Sequence, residues 1–228
     1  MGNYLKLFDT VSEQNTFRNG SSYVEPHVSC LSDGSGVKYN KYFDANGYSY
    51  VDLGLPSGIL WATCNLGAET PESFGDYYAW GETSTKSTYS WPTYRWSQSS
   101  PEKYTSADGA IRLDLEDDAA HVNWGGSWVI PTLSNWQELK NNCTMTTEQI
   151  NNINCFKFSN NNQNLIIPKA GHINNSTLSG GNDCAYYWTS TNKSDAVADD
   201  YYGDSNLSTS STRQKMRGLS IRPVLIKI

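Results

Sequence analysis

Residues 124–139 (WGGSWVIPTLSNWQEL) carry the clearest hydrophobic pattern in the chain. A glycine-containing turn precedes a short apolar strand, which Pro131 ends. A helix is predicted next, because Leu133, Trp136 and Leu139 recur at helical spacing and would share one apolar stripe. Each aromatic ring buries roughly 150–250 Å². The segment, with two tryptophans in its strand part and one in its helix, is therefore predicted to form the centre of the core.

The start of this helix carries residues that favour capping. Thr132 or Ser134 can accept a hydrogen bond from a free amide of the first turn. Gln137 or Glu138 lies near the reciprocal capping position. The helix is therefore predicted to begin directly after the strand.

Shorter apolar runs predict strands on both sides of this segment. Residues 48–62 are predicted to form a strand, a turn at residues 56–58 (PSG) and a second strand. The other predicted strands are residues 156–158 and 165–168, which flank an asparagine-rich hairpin loop at 160–162, and residues 185–190 and 219–224.

Three polar stretches separate these strands. Residues 83–110 show no sustained period and are predicted to form a long irregular loop. Residues 115–121 (LEDDAAH) are predicted to form a helical turn with acidic residues at its favourable end. Residues 191–217 are almost wholly polar, and we expect exposed recognition loops there, because two strands hold the ends of the segment.

Residues 1–47 are predicted to form a small separate unit. It would contain a short helix capped by Ser12 and ended by Gly20, followed by a hairpin around Asp33 and Gly34. A hairpin and one short helix bury little apolar surface. We therefore expect this unit to dock on the main domain, residues 48–228, or on another chain, with a hinge at residues 44–47.

Composition and charge exclude several classes of protein. The 228 residues include 8 Trp, 15 Tyr and 6 Phe, which suits a loop-rich fold with aromatic packing better than a helical bundle. The net charge is −6 and the basic residues are scattered, so we expect no nucleic-acid partner. The sequence contains no apolar run near the ~20 residues that a membrane helix needs, and no secretory signal is visible at its start.

The five cysteines form no C-x-x-C pair, which disfavours a zinc site and a fully disulfide-linked scaffold. We expect them to be small buried apolar residues, with a Cys143–Cys155 bridge as the open alternative. Cys184 has no nearby histidine in the sequence and is expected to be inert.

Other candidate sites also favour structural interpretations. Ser205, in a Gly-Asp-Ser triplet, has every histidine upstream, so a solvated loop is favoured over a lipase-like nucleophile. Residues 116–118 could bind calcium, but acidic residues at a helix start need no metal. We predict no catalytic residue, no metal ligand and no cofactor.

Seven motifs follow one another along residues 48–228. They are VDLGLPSG (51–58), WATCN (61–65), GDYYAWGE (75–82), DDAA (117–120), WGGSW (124–128) with Pro131, Thr132 and Trp136, YWTS (187–190) and IRPV (221–224). Together they resemble the Fibrobacter succinogenes major paralogous domain, a family abundant in gut Bacteroidetes. The resemblance implies an α+β fold: a C-type-lectin-like fold of the formylglycine-generating-enzyme branch, with long loops and mixed or antiparallel sheets.

A second resemblance concerns the N-terminal unit, which adds a helix and a hairpin to this fold. Residues 23–29 (YVEPHVS) and 37–40 (VKYN) resemble the leading segment of Bacteroides phage or mobile-element structural proteins. This implies attachment or oligomerisation through residues 1–47, with a homo-oligomer or virion partner.

The first resemblance also implies where a ligand would bind. Members of this fold group include variable proteins diversified by retroelements, with changes concentrated before the Arg-Pro-Val strand, where residues 189–217 lie here. A mixture of tyrosine, asparagine, serine and aspartate suits an adaptable contact surface. The predicted ligand-binding residues are Thr189, Thr191, Asn192, Lys193, Asp195, Asp199, Asp200, Tyr201, Tyr202, Asp204, Asn206, Thr212, Arg213, Lys215 and Arg217.

These observations predict a non-catalytic ligand- or receptor-binding protein. We expect a variable, tyrosine-rich surface near the C-terminus that binds a cell-surface protein or glycan, on a phage particle or a cell surface. One alternative is a secreted bacterial surface adhesin with a fixed ligand. The other is a degenerate formylglycine-type enzyme, although such chemistry needs a reactive cysteine pair near the C-terminus and only Cys184 lies there.

Overall fold

The computed structural model describes residues 29–32, 38–44, 46–96, 102–204 and 211–226. These residues form a mixed α+β structure dominated by antiparallel sheets with few short helices, as predicted at that level of detail. The described strands are β1 (Ser29–Ser32), β2 (Lys38–Phe43), β3 (Ser49–Val51), β4 (Leu60–Ala62), β5 (Trp128–Val129), β6 (Thr144–Ile150), β7 (Ile153–Asn160), β8 (Gln163–Pro168), β9 (His172–Asn174), β10 (Thr177–Ser179), β11 (Ala185–Asn192), β12 (Val197–Gly203), β13 (Ser211–Gln214), β14 (Gly218–Leu219) and β15 (Val224–Leu225).

Two α-helices, α1 (Ala119–Trp124) and α2 (Leu133–Asn142), and two short 3-10 helices, Trp91–Thr93 and Leu115–Asp117, complete the described elements. The largest sheet has the order β1-β2-β3-β4-β15-β5, and three three-stranded sheets have the orders β10-β9-β14, β11-β12-β13 and β6-β7-β8.

No helix in the described ranges has both the length and the apolar character needed to cross a bilayer.

Helix α2 lies at the centre of the core, as predicted. Thr132 caps it by accepting a hydrogen bond from the Asn135 amide, and the Asn135 side chain provides the reciprocal contact. The prediction of Gln137 or Glu138 for that role is wrong, because the third residue after the cap is Asn135. Trp136 and Leu139 are fully buried, whereas Leu133 is half-buried.

The predicted assignment of two tryptophans to the strand is wrong for one of them. Trp124 ends helix α1, and only Trp128 lies in β5. The Trp124 indole stacks on Tyr48 at 4.2 Å and packs edge-on against Trp128 at 5.0 Å. Asp118 caps α1 by accepting a hydrogen bond from the His121 amide, which confirms the predicted helical turn with acidic residues at its start.

The asparagine-rich hairpin between β7 and β8 is confirmed. Asn161 and Asn162 both adopt positive φ, 51° and 59°, as a two-residue hairpin turn requires. Strand β6 was not predicted. Its threonine-rich residues alternate only weakly in polarity, and the strand lies at the edge of its sheet.

The predicted strand at residues 219–224 is interrupted. Its first part pairs in β14 and its last part in β15, and Arg222 lies fully buried between them. The Arg222 guanidinium donates hydrogen bonds to Asn65 Oδ1 at 2.8 Å and to the carbonyl oxygens of Ala62, Thr63 and Pro71. These hydrogen bonds connect the segment between β14 and β15 to the end of β4 and the loop that follows it.

Residues 83–110 are irregular where they are described, as predicted, but they also contribute to the core. The aromatic side chains of Tyr89, Tyr94, Trp96 and Tyr104 are buried there. The rings of Tyr94, Trp96 and Tyr104 pack edge to face, with those of Trp96 and Tyr104 centred 5.3 Å apart. This loop is therefore an aromatic layer of the fold.

The N-terminal hairpin is confirmed in its backbone pairing, with Ser32 opposite Lys38. Strand β2 also pairs with β3, so the hairpin extends the largest sheet.

The predicted hinge at residues 44–47 is held by the Asp44 carboxylate. This carboxylate accepts hydrogen bonds from the Tyr48 amide and from the Trp128 indole. The predicted helix at residues 12–20 lies outside the described residues, and the domain boundary at residue 47 stays a prediction.

The predicted alternative of a Cys143–Cys155 disulfide is wrong, because both thiols are free. The register of β6 and β7 explains this result. Cys155 lies opposite Glu148, five residues beyond Cys143, and strands rise by roughly 3.3 Å per residue. That separation exceeds the reach of a disulfide. Cys64 and Cys155 are buried and Cys143 and Cys184 half-buried.

Candidate functional site

The predicted recognition loops at residues 191–217 are in part a sheet. Strand β12 pairs with β11, and β13 pairs with β12, both antiparallel. The loop prediction is therefore wrong for residues 197–203 and 211–214. It failed because this sheet buries polar side chains as well as apolar ones, which hides the alternation that normally indicates a strand.

The register of β11 and β12 gives neighbouring tyrosines opposite environments. Tyr187 pairs with Tyr201, and both are fully buried in the core. Tyr186 pairs with Tyr202, and both are half-buried on the other side of the sheet, with ring centroids 4.9 Å apart. Neighbouring side chains on a strand point to opposite faces of the sheet. Burial of Tyr187 and Tyr201 in the core therefore fixes the face on which Tyr186 and Tyr202 lie.

Two basic residues, Arg213 and His172, contact Tyr186, and the Tyr202 ring packs against the same tyrosine. We call Tyr186, Tyr202, His172, Arg213 and Arg217 the aromatic–arginine face. The Arg213 guanidinium carbon lies 4.4 Å from the centre of the Tyr186 ring, a cation–π contact. The His172 ring packs edge-on against the same tyrosine at 4.8 Å. Tyr186 is therefore fixed from two sides.

Arg213 forms an ion pair with a buried carboxylate. Its Nε and Nη2 atoms lie 3.4 Å from Asp200 Oδ2, longer than the ~2.7–2.9 Å of a strong charged hydrogen bond. Asp200 is fully buried, and its Oδ1 has no hydrogen-bond partner among the described residues. Burial raises the pKa of Asp200 to about 6, against the lowering effect of Arg213.

Arg217 has weaker contacts than Arg213. Its Nε donates a 3.2 Å hydrogen bond to the neutral Gln214 side chain, and within the described ranges it forms no ion pair. Burial and the positive charge of Arg213 lower the pKa of Arg217. Burial and both arginines lower the pKa of His172 to about 4, so this imidazole is neutral at pH 7. The positive charge of the face therefore comes from the two guanidinium groups.

One acidic group lies beside this face at the Tyr202 hydroxyl. That hydroxyl donates a 2.9 Å hydrogen bond to Asp204 Oδ2 and lies 3.9 Å from the Cys184 thiol. Burial and the hydrogen bond to Asp204 raise the pKa of Tyr202, so the phenol stays protonated. The Cys184 thiol contacts a phenol, and His172 packs on a different ring. Among the described residues no hydrogen bond joins the Cys184 thiol to an imidazole.

The structure divides the predicted ligand-binding residues into three groups. Tyr202 and Asp204 are joined by a hydrogen bond at the end of β12, Arg213 contacts Tyr186, the cross-strand partner of Tyr202, and Arg217 follows β13 and contacts Gln214. The residues that are less than a tenth exposed are Thr189, Asp199, Asp200, Tyr201 and Lys215. For these five the expected exposure is wrong. Asn206 lies outside the described residues.

The remaining predicted residues lie at the other end of β11 or are exposed. Asn192 donates a 2.8 Å hydrogen bond to the Ala110 carbonyl, and Asp195 accepts two from Ser106. These contacts hold the β11–β12 connection against the irregular loop. The Thr191 hydroxyl accepts a hydrogen bond from the amide of Leu133 at the start of α2. Lys193 and Thr212 are exposed.

Lys215 is an internal cation rather than an exposed one. Its ammonium donates a 2.9 Å hydrogen bond to the Tyr104 carbonyl and lies 4.7 Å from the Trp80 ring centre. Burial lowers its pKa to about 8. Lys215 therefore joins the strand region to the aromatic loop.

Sequence analysis missed Tyr186 and His172. The sequence analysis assigned Tyr186 and Tyr187 to one strand. Because consecutive strand residues face opposite sides of a sheet, it could have predicted that one of the two rings faces outward. His172 lies in β9, distant in sequence, and no local pattern associates it with β11.

The acidic cluster considered for calcium contains a lysine. The Lys103 ammonium lies 2.8 Å from Asp114 and from Glu116 and 2.6 Å from Asp117. Arg95 and the Tyr104 hydroxyl also contact Asp117. Of the predicted triplet, only Glu116 and Asp117 belong to this cluster, because Asp118 caps α1. Two cations of the chain, Lys103 and Arg95, therefore already offset part of the negative charge of these carboxylates.

No family model matches this chain, and the searches of curated proteins and of solved structures also give no match. The functional argument therefore rests on the residues themselves.

Proposed function

We propose that this chain is a non-catalytic binding protein whose ligand contacts the aromatic–arginine face. The observation that carries the proposal is the sheet register that fully buries Tyr187 and Tyr201 while it leaves Tyr186 and Tyr202 only half-buried. Tyrosine provides a large contact area at low entropic cost, and Arg is enriched where proteins bind partners. A packed core beneath the sheet allows the outward residues to change with little effect on folding.

The motif resemblance extends this proposal. We propose that residues 48–228 adopt a C-type-lectin-like fold of the Fibrobacter succinogenes major paralogous domain, and that a retroelement diversifies the outward residues near the C-terminus. The setting would be a phage or mobile-element particle, or a cell surface. A template repeat and a reverse-transcriptase gene beside this gene would support diversification, and their absence would leave a binder with a fixed surface.

A pair of tyrosine variants tests the location of the ligand site. Tyr202→Ala should abolish capture of a ligand found on a protein and glycan array, because it removes one ring of the face. Tyr48→Ala is the matched control, since Tyr48 is also half-buried but packs on Trp124. Equal capture by the two variants would exclude the aromatic–arginine face as the ligand site.

A further inference from the structure

Residues 104–110, which we call the strap, are attached to the end of β11. The Asn192 side-chain amide donates hydrogen bonds to the carbonyl oxygens of Tyr104 and Ala110, at 3.3 and 2.8 Å. One amide group of β11 therefore holds both ends of the strap. Because each of these contacts is a single hydrogen bond between neutral groups, its net contribution to stability is modest.

The middle of the strap is attached to the connection between β11 and β12. Asp195 Oδ1 in that connection accepts hydrogen bonds from the amide and the hydroxyl of Ser106, at 2.5 and 2.7 Å. Beyond the strap the chain is held to β11 again, since the Leu113 amide donates a 2.9 Å hydrogen bond to the Ser190 carbonyl. The strap is therefore a separate segment, held by side chains and followed by fixed backbone.

The backbone of Tyr104 is strained at the start of the strap. Its φ is +61°, in the left-handed region, where the β-carbon of any residue other than glycine is crowded by a carbonyl oxygen. A bulky residue keeps such a conformation only where the surrounding structure imposes it. Here the Tyr104 hydroxyl donates a 2.7 Å hydrogen bond to Asp117 Oδ2, and the ring packs edge-on against Trp80 and Trp96. The ring is thus fixed in the core while the backbone beside it is under strain.

The Lys215 ammonium adds a second unfavourable term at the same place. It is buried and donates a 2.9 Å hydrogen bond to the Tyr104 carbonyl, with the neutral Trp80 ring 4.7 Å away. Burial lowers the pKa of Lys215 to about 8 from its ordinary value of 10.5, while the carboxylates of Asp195 and Asp108 act in the opposite direction. At pH 7 the strap therefore covers a charged group that is more stable in water.

Two residues of the strap are suited to act as hinges. Tyr104 would leave its left-handed conformation when the backbone that follows it moves, which removes the strain. Gly109, near the other end, has a φ of +66°, and a β-carbon placed there would meet nothing within 4 Å. Glycine changes its backbone angles at little steric cost. Movement of the strap therefore needs no rearrangement of the core.

We propose that the strap opens locally as a lid, hinged at Tyr104 and Gly109, while the sheets and helices of the described fold stay intact. Opening breaks the contacts of Asn192 and Asp195 and relieves both the backbone strain and the desolvation of Lys215. It exposes Lys215 beside the β11–β12 connection, at the end of β11 away from the aromatic–arginine face. The inference therefore goes beyond the proposed function and does not depend on it.

Hydrogen exchange of the full chain, measured by rapid mixing and mass spectrometry, tests whether the opening is local. The Ser106 amide reports on the strap, because it donates to Asp195. We expect the peptide that contains Ser106 to exchange at least about tenfold faster at this amide than the paired amides of β7 and β8, which exchange when the core unfolds. Equal protection of the strap and these strands would overturn the proposal.

The charge of Lys215 provides a second test. The closed strap holds Lys215 at a pKa of about 8, and the open strap returns it to its ordinary value of 10.5. Protonation therefore favours opening, and the open fraction should fall about tenfold from pH 7 to pH 9, after correction for the intrinsic exchange rate. Lys215→Met removes the charge and should abolish this pH dependence. An unchanged open fraction in the unmodified chain, or an undiminished pH dependence in Lys215→Met, would overturn the proposal.

A pair of asparagine variants provides the third test. Asn192→Ala removes the donor to both strap carbonyls and should increase exchange at Ser106 about tenfold at pH 7. Asn123→Ala is the matched control, because Asn123 also donates to two carbonyls, those of Thr83 and Ala119. It should leave exchange at Ser106 within about twofold of the unmodified chain. Equal exchange in the two variants would overturn the proposal.

Thermal unfolding of each variant establishes that it is folded before exchange is measured. If Lys215→Met does not fold, the comparison of the unmodified chain at pH 7 and pH 9 still decides the second test. The asparagine pair is measured at a single pH and decides the third test independently of Lys215.

Discussion

The ring of Tyr201 in β12 stacks on the indole of Trp136 in α2, with ring centroids 4.2 Å apart and ring planes inclined by 11°. This contact joins the candidate ligand-binding sheet to the central helix. Tyr202, the next residue, turns to the opposite side and joins the aromatic–arginine face. Two consecutive tyrosines therefore have different roles, one in the core and one on the surface.

Alanine substitutions should separate these roles. Tyr201→Ala removes a fully buried ring and should lower the free energy of unfolding by about 3–5 kcal/mol, whereas Tyr202→Ala should lower it by about 1 kcal/mol. Urea denaturation of both variants measures the difference. Tyr201→Phe is the control and should cost little, because the Tyr201 hydroxyl has no hydrogen-bond partner among the described residues. Equal losses in the two alanine variants would contradict the assignment.

Arg222 should be essential for folding. Arg222→Met leaves the Asn65 side chain and the carbonyl oxygens of Ala62 and Pro71 without a donor, so we expect a loss of about 3–5 kcal/mol. Arg222→Lys should restore only part of it, since an ammonium lacks the planar fork. Differential scanning calorimetry would compare these variants with Arg112→Met at an exposed position. A small change in Tm for Arg222→Met would contradict the prediction.

Asp200 should make stability depend on pH. Burial raises the pKa of Asp200 to about 6 from its ordinary value of 3.8. Between these values the folded state holds a proton that the unfolded state has lost, so this contribution to stability is largest at low pH and is lost as pH rises towards 6. The loss is at most about 3 kcal/mol, from ~1.4 kcal/mol per pKa unit.

The variant Asp200→Asn should lack this contribution. Its stability relative to the unmodified chain should therefore increase when urea unfolding is measured at pH 7 instead of pH 4. Asp183→Asn, at an exposed position, is the control and should keep the pH profile of the unmodified chain. Parallel profiles for Asp200→Asn and the unmodified chain would contradict the assignment of this titration to Asp200.

Calcium should not stabilise the unmodified chain through its acidic cluster, because the Lys103 ammonium already lies among the three carboxylates. Lys103→Met should destabilise by about 1–3 kcal/mol, since Asp117 is buried and loses a charged partner. Calcium should then raise the Tm of Lys103→Met, because oxygens of Asp114, Glu116 and Asp117 lie within 4.8 Å of one another. An equal rise in Tm for both proteins would show that Lys103 does not compete with calcium.

Local patterns predicted the elements whose geometry depends on neighbours in sequence. The helix after Pro131, its Thr132 cap and the turn at Asn161 and Asn162 are such elements, because their hydrogen bonds and backbone angles involve residues a few positions apart. The same patterns failed at β12 and β13. Asp199 and Asp200 of β12 are buried in this sheet, as is Thr189 of the neighbouring strand β11. Their polar groups are paired in part across strands: the Thr189 hydroxyl donates a hydrogen bond to the Asp199 carbonyl.

The sequence by itself determined the aromatic core around residues 124–139, the antiparallel α+β character and the position of a polar, tyrosine-bearing segment before the last strands. Only the tertiary structure decided which side chains of that segment face outward, and it placed His172 and Tyr186 beside Arg213. The physical reason is strand register. Shifting a strand by one residue exchanges its two faces, and register is fixed by contacts between residues far apart in the chain, such as Tyr201 and Trp136.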